Sequence, residues 1–461
     1  MIRIKVIIAI LVLPTLSVGQ TSLNIKLLDH WEDNFLITNS SEVRYNECWG
    51  FTRNGQEYAI AGSTEGTHFF LIDDNNQLQE VDTLLGRFSS SMVIHRDYKV
   101  YRNYAYAVCD EGESSLQIID LSYLPDSVYK VADIDDTFAR VHNLYIDTAN
   151  ALMYACTITP KVGGVLQSFK SMEVFSLTDP LNPQLMYSGP TDIPEVHDAY
   201  VRDNIAYLNC GFDGLRVYDF SDPANPIFLQ NITFYEDQGY NHQGWLTPNG
   251  KRYIFGDESE GKRLKICAVD GGSLLTIDNT FGSNYQENSV PHNIMLSNEF
   301  AYVAYYNEGL RVYDIRSNEP KEIAFYDTYP QDSQFKMYGA WGVYSELPSG
   351  RLLVSDRVNG LFLLDFREDV FLTTPSLDVT LYPNPVAKDG FMTIRFNKDD
   401  VHNFTVRIHD VFGHEVSSTV VYDQTYTELR MPMASGVYSV SIEYQDYLGE
   451  TLIERRKVVV E

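Results

Sequence analysis

The chain has 461 residues with 35 Lys and Arg against 63 Asp and Glu, a formal charge of −28. Hydrophobic residues make up 44% and aromatics 13%, ample for a large packed core. The carboxylate excess excludes nucleic acid as a partner, because a phosphate backbone must be met by Lys and Arg.

The first nineteen residues read as a secretory signal peptide. Arg3 and Lys5 give a basic start, Val6 to Leu13 is an eight-residue apolar run, and Ser17-Val18-Gly19 is a small-residue cleavage site. No run approaches the roughly 18 apolar residues of a spanning helix, so no transmembrane segment is expected. Loss of Arg3 and Lys5 takes the formal charge from −28 to −30. Chain order then divides as 1–19 signal peptide, 23–372 repeat domain and 375–461 C-terminal domain.

The repeat domain returns to one pattern of short strands. His197-Asp198-Ala199-Tyr200-Val201, Ala206-Tyr207-Leu208-Asn209-Cys210 and Gly214-Leu215-Arg216-Val217-Tyr218-Asp219 come back at His292-Asn293-Ile294, Ala301-Tyr302-Val303 and Gly309-Leu310-Arg311-Val312-Tyr313-Asp314. The leading positions are Cys48, His95, His142, His197, His242, His292 and Trp341, spaced 47, 47, 55, 45, 50 and 49 residues apart. Such a period, built only of strands, predicts a seven-bladed β-propeller. Stacked blades cover both faces of each sheet, so strands such as Leu152-Met153-Tyr154-Ala155 can be apolar on both sides. The 55-residue step holds Lys161-Val162-Gly163-Gly164, a predicted hairpin loop. Asp73, Asp120, Asp179, Asp219, Asp314 and Asp365 follow third strands, where a carboxylate accepts turn N–H groups. Asn24-Ile25-Lys26-Leu27-Leu28 is a candidate outer strand for the last blade, with Asp369-Val370-Phe371-Leu372 as the alternative.

Five cysteines leave at least one unpaired. Cys109, Cys156 and Cys210 share one second-strand place in successive blades and read as small buried core residues. Asp73-Asp74-Asn75-Asn76 and Asp110-Glu111-Gly112-Glu113 carry calcium-type donors, but solvated hairpin tips account for them without an EF-hand spacing.

Five of the ten histidines lead blades. First strands of a propeller converge on the channel mouth, so His142, His197, His242 and His292 are candidate ligands for a divalent metal, with Asp97, Asp198, Asn143 and Asn293 beside them. His95 is a weaker candidate. The opposing expectation is structural: each imidazole bonds a neighbouring blade's backbone and fixes the register between sheets. No Gly-x-Ser-x-Gly elbow, P-loop, His-Glu-x-x-His or Gly-x-Gly-x-x-Gly occurs, so no catalytic residue or organic cofactor is indicated.

The stretches His242-Gln243-Gly244-Trp245-Leu246, His292-Asn293-Ile294, Phe325-Tyr326-Asp327-Thr328-Tyr329-Pro330 and Arg96-Asp97-Tyr98-Lys99-Val100-Tyr101 stand in a characteristic order. On these, residues 28–368 resemble the choice-of-anchor B family of LVIVD-repeat propellers. That family usually has Trp where this chain has His95. The resemblance implies the propeller and no established activity.

After Thr374-Pro375 the pattern changes. Met392-Thr393-Ile394-Arg395-Phe396, Phe404-Thr405-Val406-Arg407-Ile408 and Val437-Tyr438-Ser439-Val440-Ser441-Ile442 are alternating strands of a small Ig-like β-sandwich. Tyr382-Pro383-Asn384-Pro385, Asp410-Val411-Phe412-Gly413 and Ala434-Ser435-Gly436-Val437-Tyr438 make this part similar to the type A sorting domain of the type IX secretion system of Bacteroidota. The resemblance implies the secretion machinery as a partner, passage through the periplasm and outer membrane, and release or surface attachment. Two functions remain open. One is a surface or secreted binding module whose rim meets a protein, glycan or small ligand; the other is a metal-dependent hydrolase of the lactonase or phosphoesterase kind.

Overall fold

A computed structural model describes residues 22–38, 40–283, 289–330, 337–367, 379–396, 404–422, 425–432, 434–445 and 451–461. The expected signal peptide and the alternative strand 369–372 lie outside the described residues. The chain forms two compact units that divide between Phe366 and Arg367.

In the first unit, seven antiparallel sheets of four or five strands follow one another along the chain. Apart from the N-terminal strands described below, each sheet runs in chain order from its innermost strand outward. Asp198–Arg202, Ile205–Asn209, Leu215–Asp219 and Ile227–Ile232, for example, pair in that order. The innermost strands are Tyr45–Arg53, Arg96–Tyr101, Arg140–Asp147, Asp198–Arg202, Asn241–Leu246, Ile294–Leu296 and Ala340–Tyr344. Each touches the next, and the last touches the first, which closes a propeller.

The core lies between sheets rather than within any one. Tyr106, Val108 and Ile118 of the second sheet pack with Leu144, Met153 and Phe175 of the third. Tyr154, Met172 and Val174 pack with Ala199, Leu208 and Cys210 of the fourth. Each such side chain contributes about 1.5–3 kcal/mol by leaving water, and none of it is gained without the neighbouring sheet. Every sheet also carries a β-bulge between its third and fourth strands, as at Phe69/Phe70, Val217/Tyr218 and Val312/Tyr313. A bulge adds twist and bends the outer strand.

The ring is closed by the N-terminal segment. Ile25–Trp31 runs antiparallel to Gly360–Phe366, with Ile25 opposite Phe366 and Trp31 opposite Leu361. Ser22–Leu23 pairs instead with Lys321–Tyr326 of the sixth sheet. Asn24 makes the step between the two at φ 55° and donates from Nδ2 to the Ile323 carbonyl at 2.7 Å. One short segment therefore stitches the sixth sheet to the seventh.

The repeated aspartates act as turn acceptors. Asp73, Asp120, Asp179, Asp219 and Asp314 each accept a backbone N–H two residues on, at 2.7–3.1 Å. Lys161–Val162 and Val165–Leu166 form the expected hairpin across Gly163 and Gly164, whose φ values of 57° and 81° suit glycine. The five cysteines are buried and free.

A buried ion pair lies in the fifth sheet. Lys265 Nζ donates to Asp257 at 2.8 Å and to the Asp237 and Arg263 carbonyls at 2.7 Å each, and both side chains of the pair are wholly buried. Asp257 also accepts from the Tyr235 hydroxyl and the Gly239 N–H, at 2.8 Å each.

The second unit has two antiparallel sheets, one of Val379–Tyr382, Phe391–Phe396 and Tyr426–Arg430, the other of Glu415–Val421, Phe404–His409, Gly436–Gln445 and Thr451–Val460. Met392, Ile394 and Leu429 of one share a core with Val406, Ile408, Val440 and Val458 of the other. Asn384 of the Tyr-Pro-Asn-Pro turn donates to the Lys457 carbonyl and accepts from the Val459 N–H, both at 3.0 Å, which pins the final strand. Asp410 accepts the Phe412 and His414 N–H groups at 2.9 Å in the turn before the Glu415–Val421 strand.

Two measurements check this description. A thiol reagent is expected to label none of the five cysteines in the folded full chain and all five in denaturant, because burial pushes every one of these thiols up. Lys265→Ala leaves Asp257 buried without its cation, so chemical denaturation should show a loss of about 3–5 kcal/mol.

Candidate functional site

At or just before six of the seven innermost strands, an aromatic ring enters one layer at the axis. Ring centroids are 5.3 Å apart from His95 to His142, 4.2 Å to His197, 4.4 Å to His242, 4.2 Å to His292 and 3.9 Å to Trp341. Trp341 then meets His95 at 5.3 Å, so the circle closes without Cys48. The sequence makes Cys48 and Trp341 look like breaks in the histidine series. In the fold the indole spans the gap that Cys48 leaves.

The structural expectation for the histidines holds at two of them. His197 Nδ1 bonds the His242 carbonyl at 3.1 Å, and His292 Nδ1 bonds the Trp341 carbonyl at 2.7 Å. A carbonyl only accepts, so Nδ1 carries the proton and, in the neutral ring, Nε2 keeps a free lone pair. The same contact that sets blade register therefore also sets the tautomer. Burial, reinforced by neighbouring imidazoles, holds His197 and His292 well below the usual histidine range. His242 falls to about 4, chiefly through burial.

Two more of the five ring histidines bond carboxylates. His142 Nδ1 meets Asp110 at 2.8 Å, and His95 Nδ1 meets Glu111 at 2.6 Å. Burial opposes a charge on His142, but the bond and charge of Asp110 outweigh it and raise its pKa. Asp110 and Glu111, expected as a solvated hairpin tip, are instead partners of the ring.

Of the four histidines expected as metal ligands, the structure converges two. One ring nitrogen each of His197 and His242 and a carboxylate oxygen of Glu258 lie within 4.8 Å of one another, the one such group found among the described residues. His142 and His292 flank the pair in the ring. Glu258 is a residue that sequence reasoning missed. It stands 16 residues after His242, as Glu111 stands 16 after His95. That recurrence is the signal that points to it.

A second layer lies below the ring. Glu47, Asp97, Asn143 and Asn293 line both of two small cavities of about 30 and about 20 Å³, and Asp198 and Lys99 line the larger. Lys99 Nζ donates to Asp97 at 2.9 and 3.1 Å, Asn143 donates to Asp198 at 3.0 Å, and Asn293 donates to Glu47 at 2.5 Å. Gly342 makes room for Glu47, since a Cβ there would lie 2.0 Å from its Oε1. Three buried carboxylates thus share one ammonium. Burial, and next the Asp97 charge, raise Glu47 to about 8. Burial likewise raises Asp198 to about 7 despite Lys99. Asp97, Asp198, Asn143 and Asn293, expected beside the metal candidates, belong to this layer and largely satisfy one another.

Residues 380–460 match the family model of the secretion system C-terminal sorting domain, and residues 291–328 match that of the LVIVD repeat. The chain carries an LVIVD-repeat propeller and a secretion sorting domain. The sorting domain directs export through type IX secretion to the cell surface or beyond, and implies contact with that machinery. Among the described residues no helix is long and apolar enough to cross a membrane. No curated protein matches the chain. Among solved structures, it is similar to a protein from Lactobacillus plantarum (13% identity, 84% of this chain and 100% of that one, TM-score 0.50). It also resembles a putative 6-phosphogluconolactonase from Bacteroides uniformis (13%, 84% and 99%, 0.47). The Cps50 (Swd1) β-propeller domain of Myceliophteria thermophila is similar as well (10%, 74% and 99%, 0.47). At such identities the likeness concerns fold alone.

The axial carboxylates give a pH prediction. A folded-state pKa near 8 means that folded Glu47 keeps a proton which the unfolded chain releases above pH 4.5. Its contribution to stability is therefore lost progressively as pH rises from 4.5 through 8, at up to about 1.4 kcal/mol per pH unit. Glu47→Gln should be near neutral at pH 5 and more stable than the parent at pH 8, read by denaturant unfolding at both.

Proposed function

We propose that the chain is an exported binding module of the choice-of-anchor B kind, whose ligand docks at the axial mouth of the LVIVD propeller. Residues 1–19 serve as its signal peptide, and residues 375–461 are removed or retained as it is released or held at the surface. One observation supports the mouth as the docking place: an aromatic path climbs from the ring to solvent. Tyr240 meets His197 edge-on at 5.3 Å, and Phe212, 77% exposed, meets Tyr240 at 5.1 Å. The Tyr240 hydroxyl donates to Glu195 at 2.9 Å. An exposed ring above a floor of hydroxyls and carboxylates suits a ligand with one apolar face and several hydroxyls, of which a glycan is the commonest kind. A second reading, a metal-dependent hydrolase, is favoured by the convergence of His197, His242 and Glu258.

A glycan array probed with the full chain tests the first reading. The parent should retain a defined glycan, and Phe212→Ala should weaken that binding about tenfold with an unchanged melting temperature. Equal retention by both proteins would remove the mouth as the docking place. Turnover of lactone or phosphoester substrates, abolished by a chelator, would instead establish the hydrolase.

A further inference from the structure

We infer that His197, His242 and Glu258 hold one divalent transition-metal ion at the propeller mouth, with its remaining coordination positions open to solvent. The inference deepens the mouth reading by giving the site a specific cation.

The donor set is two imidazoles and one carboxylate, a combination that binds zinc-like ions and leaves room for an outside ligand. His242 Nε2 lies 3.8 Å from Glu258 Oε2, too long for a hydrogen bond. Two ligand atoms on a tetrahedral ion at about 2.0–2.2 Å stand about 3.3–3.6 Å apart. The three groups therefore close on an ion by small side-chain rotations.

The supporting contacts are of the kind that orient metal ligands. His197 Nδ1 is engaged by the His242 carbonyl at 3.1 Å, which leaves Nε2 as its donor. Glu258 Oε1 accepts the Tyr306 hydroxyl, which leaves Oε2 facing His242. Tyr306 is in turn packed against His292 and Trp341, at centroid distances of 5.2 and 5.9 Å. His242 is 3% exposed, and its Nδ1 has no partner in hydrogen-bonding geometry. A weaker contact to the His292 backbone nevertheless faces His242, as the His242 carbonyl faces His197, and its Nε2 is the nitrogen turned to Glu258. His142 also keeps its Nε2 free, its Nδ1 being bonded to Asp110, but it is not among the converging atoms. His292 is not among the converging atoms.

The test uses the untagged full chain, stripped with a chelator and titrated separately with Zn²⁺ and Co²⁺. One equivalent should bind per chain, and Co²⁺ should give the visible absorption of a low-coordinate site. Glu258→Gln and His242→Ala should each weaken binding by more than about 100-fold, and Tyr306→Phe by about 10-fold. His414→Ala should change nothing, although His414 is exposed beside Asp410 and is the obvious surface competitor. If His242→Ala fails to fold, the near-isosteric Glu258→Gln and Tyr306→Phe still decide. No tight equivalent in the parent, an equivalent lost only in His414→Ala, or Glu258→Gln binding as tightly as the parent would each overturn the site. A parent that takes no metal while Phe212→Ala still loses its glycan sinks the metal site and leaves the mouth reading. Metal uptake beside a glycan indifferent to Phe212 does the reverse.

Discussion

The first unit depends on one pairing, that of Ile25–Trp31 with Gly360–Phe366. Each sheet hides its faces only against two neighbours, and the seventh finds its outer strand at the opposite end of the chain. Without that strand the edge of Gly360–Phe366 would stand open, with unpaired N–H and C=O groups. The extra pairing of Ser22–Leu23 to the sixth sheet spreads the closure over two sheets. The contact spans more than 300 residues of chain, so it is costly to find and is gained only when the rest of the ring exists.

Closure sets the axis, and the axis sets the chemistry. Seven innermost strands leave a channel so narrow that side chains fill it in layers. Imidazoles and an indole form one layer, and carboxylates, amides and Lys99 the next. In the first layer, the bond that locks one sheet to its neighbour is also the bond that selects an imidazole tautomer. Scaffold and site are thus alternatives only in language. A histidine that bonds a carbonyl through Nδ1 is held in register and, for the same reason, presents Nε2. In the second layer, burial first and the Asp97 charge after it hold the Glu47 and Asp198 carboxyls well above the usual carboxylate range despite Lys99.

Much of this was legible in the chain. The recurrence of the leads every 45–55 residues placed five histidines and Trp341 at one place in the repeat, and the fold brings them into one ring. Asp73, Asp120, Asp179, Asp219 and Asp314 were readable as turns, since an aspartate after a strand has N–H groups within reach. The Gly163-Gly164 hairpin and the outer role of the Asn24–Leu28 stretch were readable for similar local reasons. Glu258, Glu47 and Lys99 were not. Glu258 stands among Asp257 and Glu260, and Lys99 follows Arg96 and Asp97, so local sequence does not single them out, and only contacts made in the fold give Glu258, Glu47 and Lys99 their roles. Asp110 and Glu111 were misleading, because a Gly-containing acidic turn looks the same whether it faces water or an imidazole of the ring.

The sequence by itself determined the repeat, its strand order, the places of its turns and the destination of the chain, because period, turn chemistry and the sorting motifs are local properties. Tertiary structure alone decided which histidines face which partners, that Trp341 bridges the place of Cys48, and that His197 and His242 meet Glu258. Those outcomes depend on how far each innermost strand reaches toward the axis and on which side chains the neighbouring sheets leave room for. They are distances across the ring, and spacing along one strand does not contain them.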